Sequence, residues 1–330
     1  MKFRNLFEVK KLRSARSAYQ FDMELGFWGV PGFNERVETG IGEKKINVSL
    51  NSDGDREKEI TEIDKNGSIV VIGGSHTWGV GIEDGRRYSD ILAKKINKQV
   101  INMGKASFGI DQICMVVTNK MIKYNPRIVI IEQYPWAILR ILNHYMGRYV
   151  KPYFKLDSNG ELQLVKVPKI AKFRYMRILS GAFLSYIKEL KEFRSGISIK
   201  DNYDPMNDPI FQSWKLAHYD YMYKLFREIL LTTKSYCDEK NIKLLFVLGT
   251  IHQQFVGVEK SELIDYDLPK TKIKDILDDL NIDYVDTKDE LLKNHSIEDP
   301  VIFDDGHINS KGNNIFASVI LKKLKKLSWL

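Results

Sequence analysis

Three short, unbroken apolar runs constrain this chain more than any other feature. Ser68 to Ile72 (SIVVI) runs into Gly73-Gly74, Arg127 to Ile131 (RIVII) follows Asn125-Pro126, and Lys243 to Leu248 (KLLFVL) ends at Gly249. Runs of this length, rich in β-branched residues and bounded by turn residues, read as strands covered on both faces, as in parallel sheets. Val100 to Asn102 and Ile282 to Val285 are shorter candidates of the same kind. Between the runs the apolar spacing changes to three and four, in Tyr88 to Ile96, Gln112 to Tyr124, Phe211 to Cys237, Ile273 to Leu280 and Ile315 to Leu327. Strand and helix alternating five times predict an α/β fold, a doubly wound parallel sheet in three α/β/α layers. Ligands of such sheets bind at the carboxyl ends of the strands, so the chemistry is to be sought there.

Two segments break the rhythm. Residues 1–66, with Gly26 to Gly32 (GFWGVPG), an alternating Ile46 to Leu50 stretch and a polar Asn51 to Asp55 turn, are expected to form a β-rich extension to an α/β domain over 67–330. Residues from about 138 to 207 are expected to be an insertion, with a turn at Asp157 to Gly160 and an amphipathic helix over Ile170 to Phe193. The chain's +8 charge is concentrated there: 151–200 holds eleven basic residues against four acidic ones. With aromatic residues interleaved, this is either a solvated helix face or a patch for an anionic glycan, a nucleotide-bearing donor or a membrane surface. No nucleic-acid motif accompanies the charge, so nucleic acid is not the expected partner.

No run reaches the ~20 apolar residues of a bilayer crossing. Met1 to Gln20 lacks the continuous apolar core of a secretory signal, so a cytoplasmic location is expected, with peripheral membrane attachment through Ile170 to Phe193 as an addition. Cys114 and Cys237 stand far apart, and the six histidines show no ligand spacing. Neither a disulfide framework nor a metal or organic cofactor is implied.

The chemistry-bearing residues lie at the two ends of the expected sheet. Gly73-Gly74-Ser75-His76 follows the first strand, and glycines there allow a sharp exit that exposes the Ser75 hydroxyl at the sheet's carboxyl edge. A serine nucleophile needs a base. Near the other end Asp304-Asp305-Gly306-His307 precedes the last amphipathic segment. A carboxylate three residues before a histidine on a turn can hold one ring nitrogen and turn the other to a serine, which makes Ser75, His307 and Asp304 a candidate triad. Asp305 is the alternative orienter, its adjacency giving poorer reach. Residue His76, beside the serine, is read as a substrate contact or a packing residue, and Glu83 and Asp84 as caps of the following helix. Trp78, Trp136 and Trp214 are read as core residues or sugar platforms.

With these residues in hand, the chain resembles the SGNH (GDSL-type) hydrolases, and is similar to members acting on carbohydrate O-acyl esters. The matching blocks are Gly73 to Asp84 (GGSHTWGVGIED), Val100 to Gln112 (VINMGKASFGIDQ) and Phe303 to Gly312 (FDDGHINSKG). Ile46 to Arg56 (INVSLNSDGDR) is similar to the extension of polysaccharide-acting members. The aspartate of the GDS form is Gly74 here. The resemblance implies an oxyanion-hole glycine where this chain has Ser107, with Gly104 and Gly109 nearby. Where the family has GxND, the chain reads Glu132-Gln133-Tyr134-Pro135-Trp136, and the asparagine's place falls by spacing on Trp136, with Gln133 as another donor. The function so implied is hydrolysis of a short acyl ester, acetyl above all, through an acyl-Ser75 intermediate. A sugar hydroxyl in place of water would make it an O-acyltransferase of surface polysaccharide. A non-catalytic glycan-binding relative is the alternative from another class.

Overall fold

The computed structural model describes residues 15–40, 42–43, 45–146, 149–169, 171, 220–250 and 267–330. Two antiparallel hairpins come first, β1 (Tyr19–Asp22) with β2 (Gly26–Gly29) and β3 (Asn34–Glu38) with β4 (Lys45–Ser49). They are followed by β5 (Ser68–Gly73), the single turn α1 (Ser75–Trp78), α2 (Tyr88–Ile96), β6 (Val100–Asn102) and α3 (Ile110–Asn119). A 3-10 turn at Met121–Tyr124 leads into β7 (Pro126–Gln133), and a 3-10 segment, Pro135–Leu142, leaves it. Two short ladders come next, β8 (Tyr145–Met146) with β9 (Tyr149–Val150), and β10 (Tyr153–Leu156) with β11 (Leu162–Val165). The rest alternates α4 (Asp220–Glu239), β12 (Lys243–Leu248), α5 (Leu268–Asp279), β13 (Asp283–Asp286), α6 (Lys288–Lys293) and α7 (Ser310–Lys326).

Strands β13, β12, β7, β5 and β6 lie side by side in that order and all run parallel. Counted along the chain this is the order 2-1-3-4-5, and the direction of winding reverses between β5 and β7, where ligands of doubly wound sheets bind. Alternate strand residues feed two cores. Val70, Ile72, Val129, Ile131, Phe246 and Leu248 pack with α3, α4 and α5, while Ile69, Val71, Ile128, Ile130, Leu245 and Val247 pack with α2, α6 and α7. Burial on both faces is why these strands read as continuous apolar runs. Asn97, Asn125, Asn241 and Asn281 close four helical segments at φ near 50°, the left-handed cap that asparagine tolerates, and each sends the chain promptly into a strand.

The N-terminal hairpins are locked to the sheet by buried charge. Lys105 and Asp55, at most 1% exposed, pair at 2.6 Å, and Tyr124 Oη donates to Asp55 at 3.0 Å. The Arg56 guanidinium lies 4.4 Å over the Trp78 ring and donates to the carbonyls of Trp78, Gly79, Asn47 and Ile82 and to Asp84. Trp78 is therefore a core residue. Glu83 and Asp84 are not helix caps: Glu83 accepts from Asn47 N at 3.0 Å and Asp84 from Arg56, while α2 is capped by Asp90, which accepts from Arg87 N at 3.1 Å. Asp84 is drawn to the buried Arg56 guanidinium and Glu83 to Asn47 rather than to the helix end.

In the insertion, Asp157 does form the expected turn, accepting from Asn159 N and Glu161 N between β10 and β11. The helix expected over Ile170 to Phe193 and Trp214 lie outside the described residues apart from Ala171, as do the basic residues beyond Lys169. Lys151 does not belong to a surface patch: it is fully buried and paired with Asp111. No helix among the described residues is long and apolar enough to cross a membrane.

Candidate active site

Ser75 opens α1 immediately beyond β5. The turn is tight enough that a side chain on Gly73 would strike Thr77 Oγ1 at 2.2 Å and the Glu132 carbonyl at 2.7 Å, so only glycine permits the approach. The hydroxyl is thereby set at the switch point, half-buried and facing the loop that precedes α7. His307 reaches it from that loop, with Nε2 2.8 Å from Ser75 Oγ across 232 positions of sequence.

The carboxylate on the other ring nitrogen is Asp305, not Asp304. Asp305 Oδ2 lies 2.6 Å from His307 Nδ1, and its Oδ1 accepts the His307 backbone N–H at 3.2 Å. The physical reason is the turn: Gly306 N donates to Phe303 O at 2.9 Å with Gly306 at φ 88°, and this folds residue 305 back over residue 307 in an Asx-type arrangement. Asp304, at the outer corner of that turn, is exposed. Although burial pushes the Asp305 carboxyl up, its hydrogen bonds from His307 outweigh that and hold it below the usual carboxylate range. It is charged at neutral pH, which fixes the ring and favours imidazolium formation.

His76 is buried, its ring 5.2 Å from that of His307 and 6.5 Å from that of Tyr134. Burial first, then the nearby His307 and Arg140, lower its pKa to about 3, so it stays neutral and packs under the base. Glu132, at the end of β7, accepts from Thr77 Oγ1 at 2.9 Å. Its burial raises the carboxyl to about 7 against the pull of Thr77 and Arg140.

Of the expected oxyanion donors, Ser107 is favourably built. Its φ of 72° is one that glycine prefers, in keeping with the glycine that the resemblance implies there. The N–H groups on either side are engaged, Ala106 by Tyr19 Oη at 2.9 Å and Phe108 by Lys105 O at 3.2 Å. Ser75 N–H stands at a helix start, where no intrahelical acceptor exists. Gly104 presents no donor: its N–H is bound to Asn102 Oδ1 at 2.9 Å, and its lack of a side chain lets Thr77 and Trp78 come close. Gln133 and Trp136 are buried at the end of β7 and in the segment after it, and both polar atoms of the Gln133 amide lack a partner among the described residues.

Two residues at the serine turn carried no role in the sequence reading, Glu132 and Arg140. Arg140 Nη1 donates to Phe108 O at 2.8 Å, beside Gly74. Its signal was a lone arginine in the apolar run Pro135–Leu142, which otherwise reads as core. Among the described residues no group of three or more His, Cys, Asp or Glu side chains is placed to hold a metal ion. A hydroxyl, an imidazole and a carboxylate in line can move a proton off the serine and return it to a leaving group.

No family model matches the chain, and no curated protein matches it. Among solved structures it is similar to a member of the lipolytic protein G-D-S-L family from Veillonella parvula, at 14% identity over 77% of this chain and 96% of that one, TM-score 0.42. It is similar to the acetyl xylan esterase AlAXEase, at 14% identity over 77% and 98%, TM-score 0.43. A two-domain esterase active on acetylated mannans is a third, at 13% identity over 80% of this chain and 50% of that one, TM-score 0.42.

Proposed function

We propose that the chain is a serine esterase of the SGNH type, cleaving a short acyl ester, an acetyl ester of a carbohydrate or other small molecule, through an acyl-Ser75 intermediate. The observation that carries this reading is the unbroken line from Ser75 Oγ through both His307 nitrogens to Asp305, with contacts of 2.8 and 2.6 Å. Ser75 Oγ attacks the ester carbonyl carbon while its proton passes to His307 Nε2. The oxyanion takes hydrogen bonds from the N–H groups of Ser75 and Ser107. Collapse breaks the ester C–O bond, and the imidazolium protonates the departing alkoxide. Water then gives a proton to His307 and attacks the acyl carbon, releasing the acid and restoring the serine. With a sugar hydroxyl in the place of water, the same steps transfer the acyl group. The carbohydrate part of the reading is supported by the likeness of Ile46 to Arg56 to the extension of polysaccharide-acting members. In the same reading, residues 1–66 are an extension that supports the catalytic unit over 67–330, since Arg56 grips the loop after Ser75.

The test is hydrolysis of 4-nitrophenyl acetate by the wild type and by Ser75→Ala, with intact-mass detection of an acetyl adduct. A loss of ~10⁴ or more, with the adduct on the wild type only, is expected. Equal turnover by both and no adduct would overturn the reading.

A further inference from the structure

The guanidinium of Arg140 stands at the serine turn without an ion-pair partner among the described residues. Among the described residues its one hydrogen bond runs from Nη1 to Phe108 O at 2.8 Å, and its remaining donors make none. The carboxylates that feel its charge are held elsewhere: Glu132 accepts from Thr77, and Asp111 is paired with Lys151. A half-buried guanidinium with donors to spare can give charge-assisted hydrogen bonds to an anion that forms beside it. Position matters as much as charge. Nη1 lies 3.2 Å from where a side chain on Gly74 would begin, and the Arg140 Cβ lies 3.0 Å from the corresponding point on Gly109. The residue thus bridges the two backbone turns, one at Ser75 and one at Ser107, whose N–H groups face the reacting carbonyl in the mechanism above.

We propose that Arg140 is a catalytic residue that shares the developing oxyanion with the N–H groups of Ser75 and Ser107. The proposal rests on the acyl-Ser75 reading and deepens it by naming the third donor. It also accounts for glycine at position 74. An aspartate there, as in the GDS form, would start 3.2 Å from Nη1, closer than ordinary van der Waals contact, and place a carboxylate on the charge that the oxyanion needs. Serine attack, proton transfer to His307 and departure of the alkoxide are unchanged. Arg140 keeps its proton throughout and contributes N–H donors and charge to the tetrahedral intermediate.

The experiment compares wild type, Ser75→Ala, Arg140→Ala, Arg140→Lys, Gly74→Asn and Gly74→Asp on 4-nitrophenyl acetate and on a short ester carrying a carboxylate. Arg140→Ala is expected to lose ~10²- to 10³-fold in kcat on the neutral ester with KM within a few-fold. Arg140→Lys retains more than the alanine variant, and millimolar guanidinium restores part of the loss in Arg140→Ala. Gly74→Asp falls at least about tenfold below Gly74→Asn, which has the same shape without the charge; this pair decides the matter should Arg140→Ala fail to fold. Unchanged kcat in Arg140→Ala, a loss confined to KM for the anionic ester, or equal activity of the two Gly74 variants would overturn the proposal. Wild-type turnover by Ser75→Ala would instead overturn the acyl-serine reading beneath it.

Discussion

Asp305 sits two residues before His307, and the turn at 303–306 converts that closeness into reach. One carboxylate oxygen holds the backbone N–H of residue 307 and the other holds its ring. The ring orientation therefore depends on a local Asx geometry as well as on the ion pair. Asp305→Asn keeps the shape, loses the charge and leaves the tautomer undetermined. It is expected to lower kcat by ~10²- to 10⁴-fold in the 4-nitrophenyl acetate assay. Asp304→Asn, at the exposed corner of the same turn, should stay within roughly twofold of wild type, the usual range of a surface change. The reverse ranking in that assay would return the orienting role to Asp304.

Between elements, Glu132 ties the end of β7 to α1. Thr77 Oγ1 lies 2.9 Å from Glu132 Oε2 and 2.8 Å from Tyr88 Oη, so one hydroxyl joins a strand end, the turn of the serine and α2. Burial without an ion pair raises the carboxyl from 4.5 to about 7. An acid whose folded pKa is raised favours the folded state while protonated. Below about 4.5 both states carry the proton and the full stability is present. As pH rises toward 7 the unfolded chain releases its proton first, and stability falls by ~3 kcal/mol, at about 1.4 kcal/mol per unit, and then levels off. Urea midpoints of the wild type should therefore drop between pH 5 and 7.5, and Glu132→Gln should remove most of that drop. An equal drop in the variant would assign it to other groups.

At the scale of the whole molecule, the N-terminal hairpins and the sheet share one interior. Tyr19, Phe27, Val37, Ile46 and Val48 belong to the same apolar cluster as the α3 face of the sheet. Polar ties run alongside: Gln112 Nε2 donates to Leu25 O at 2.8 Å, and Lys105 depends on Asp55 for its charge. A chain beginning at residue 67 would leave Lys105 without its partner, at a cost of ~3 to 5 kcal/mol, and would uncover part of the core. Against a total stability of order 5 to 15 kcal/mol, it is expected not to fold cooperatively. Thermal melts followed by circular dichroism check this, and a truncated chain melting near the full-length protein would show that the extension is dispensable.

The same contrast runs through what was legible in the sequence. The runs at 68–72, 127–131 and 243–248 could be read directly, because burial on both faces demands unbroken apolar residues, and the helices could be read from their spacing. The glycine turn at Ser75 and the loop carrying His307 could be read because glycine and turn residues mark strand exits. Which carboxylate meets His307, where Glu83 and Asp84 point, and that Arg140 stands at the serine could not. Periodicity and turn chemistry are local properties, determined by neighbours along the chain, and they settled the layers and the two ends of the site. Contacts between polar groups are determined by turn geometry over a few tenths of a nanometre and by residues as far apart as 75 and 307. Only the folded chain brings those together, so the tertiary structure alone decided which charges are paired, which are buried and which are left to act.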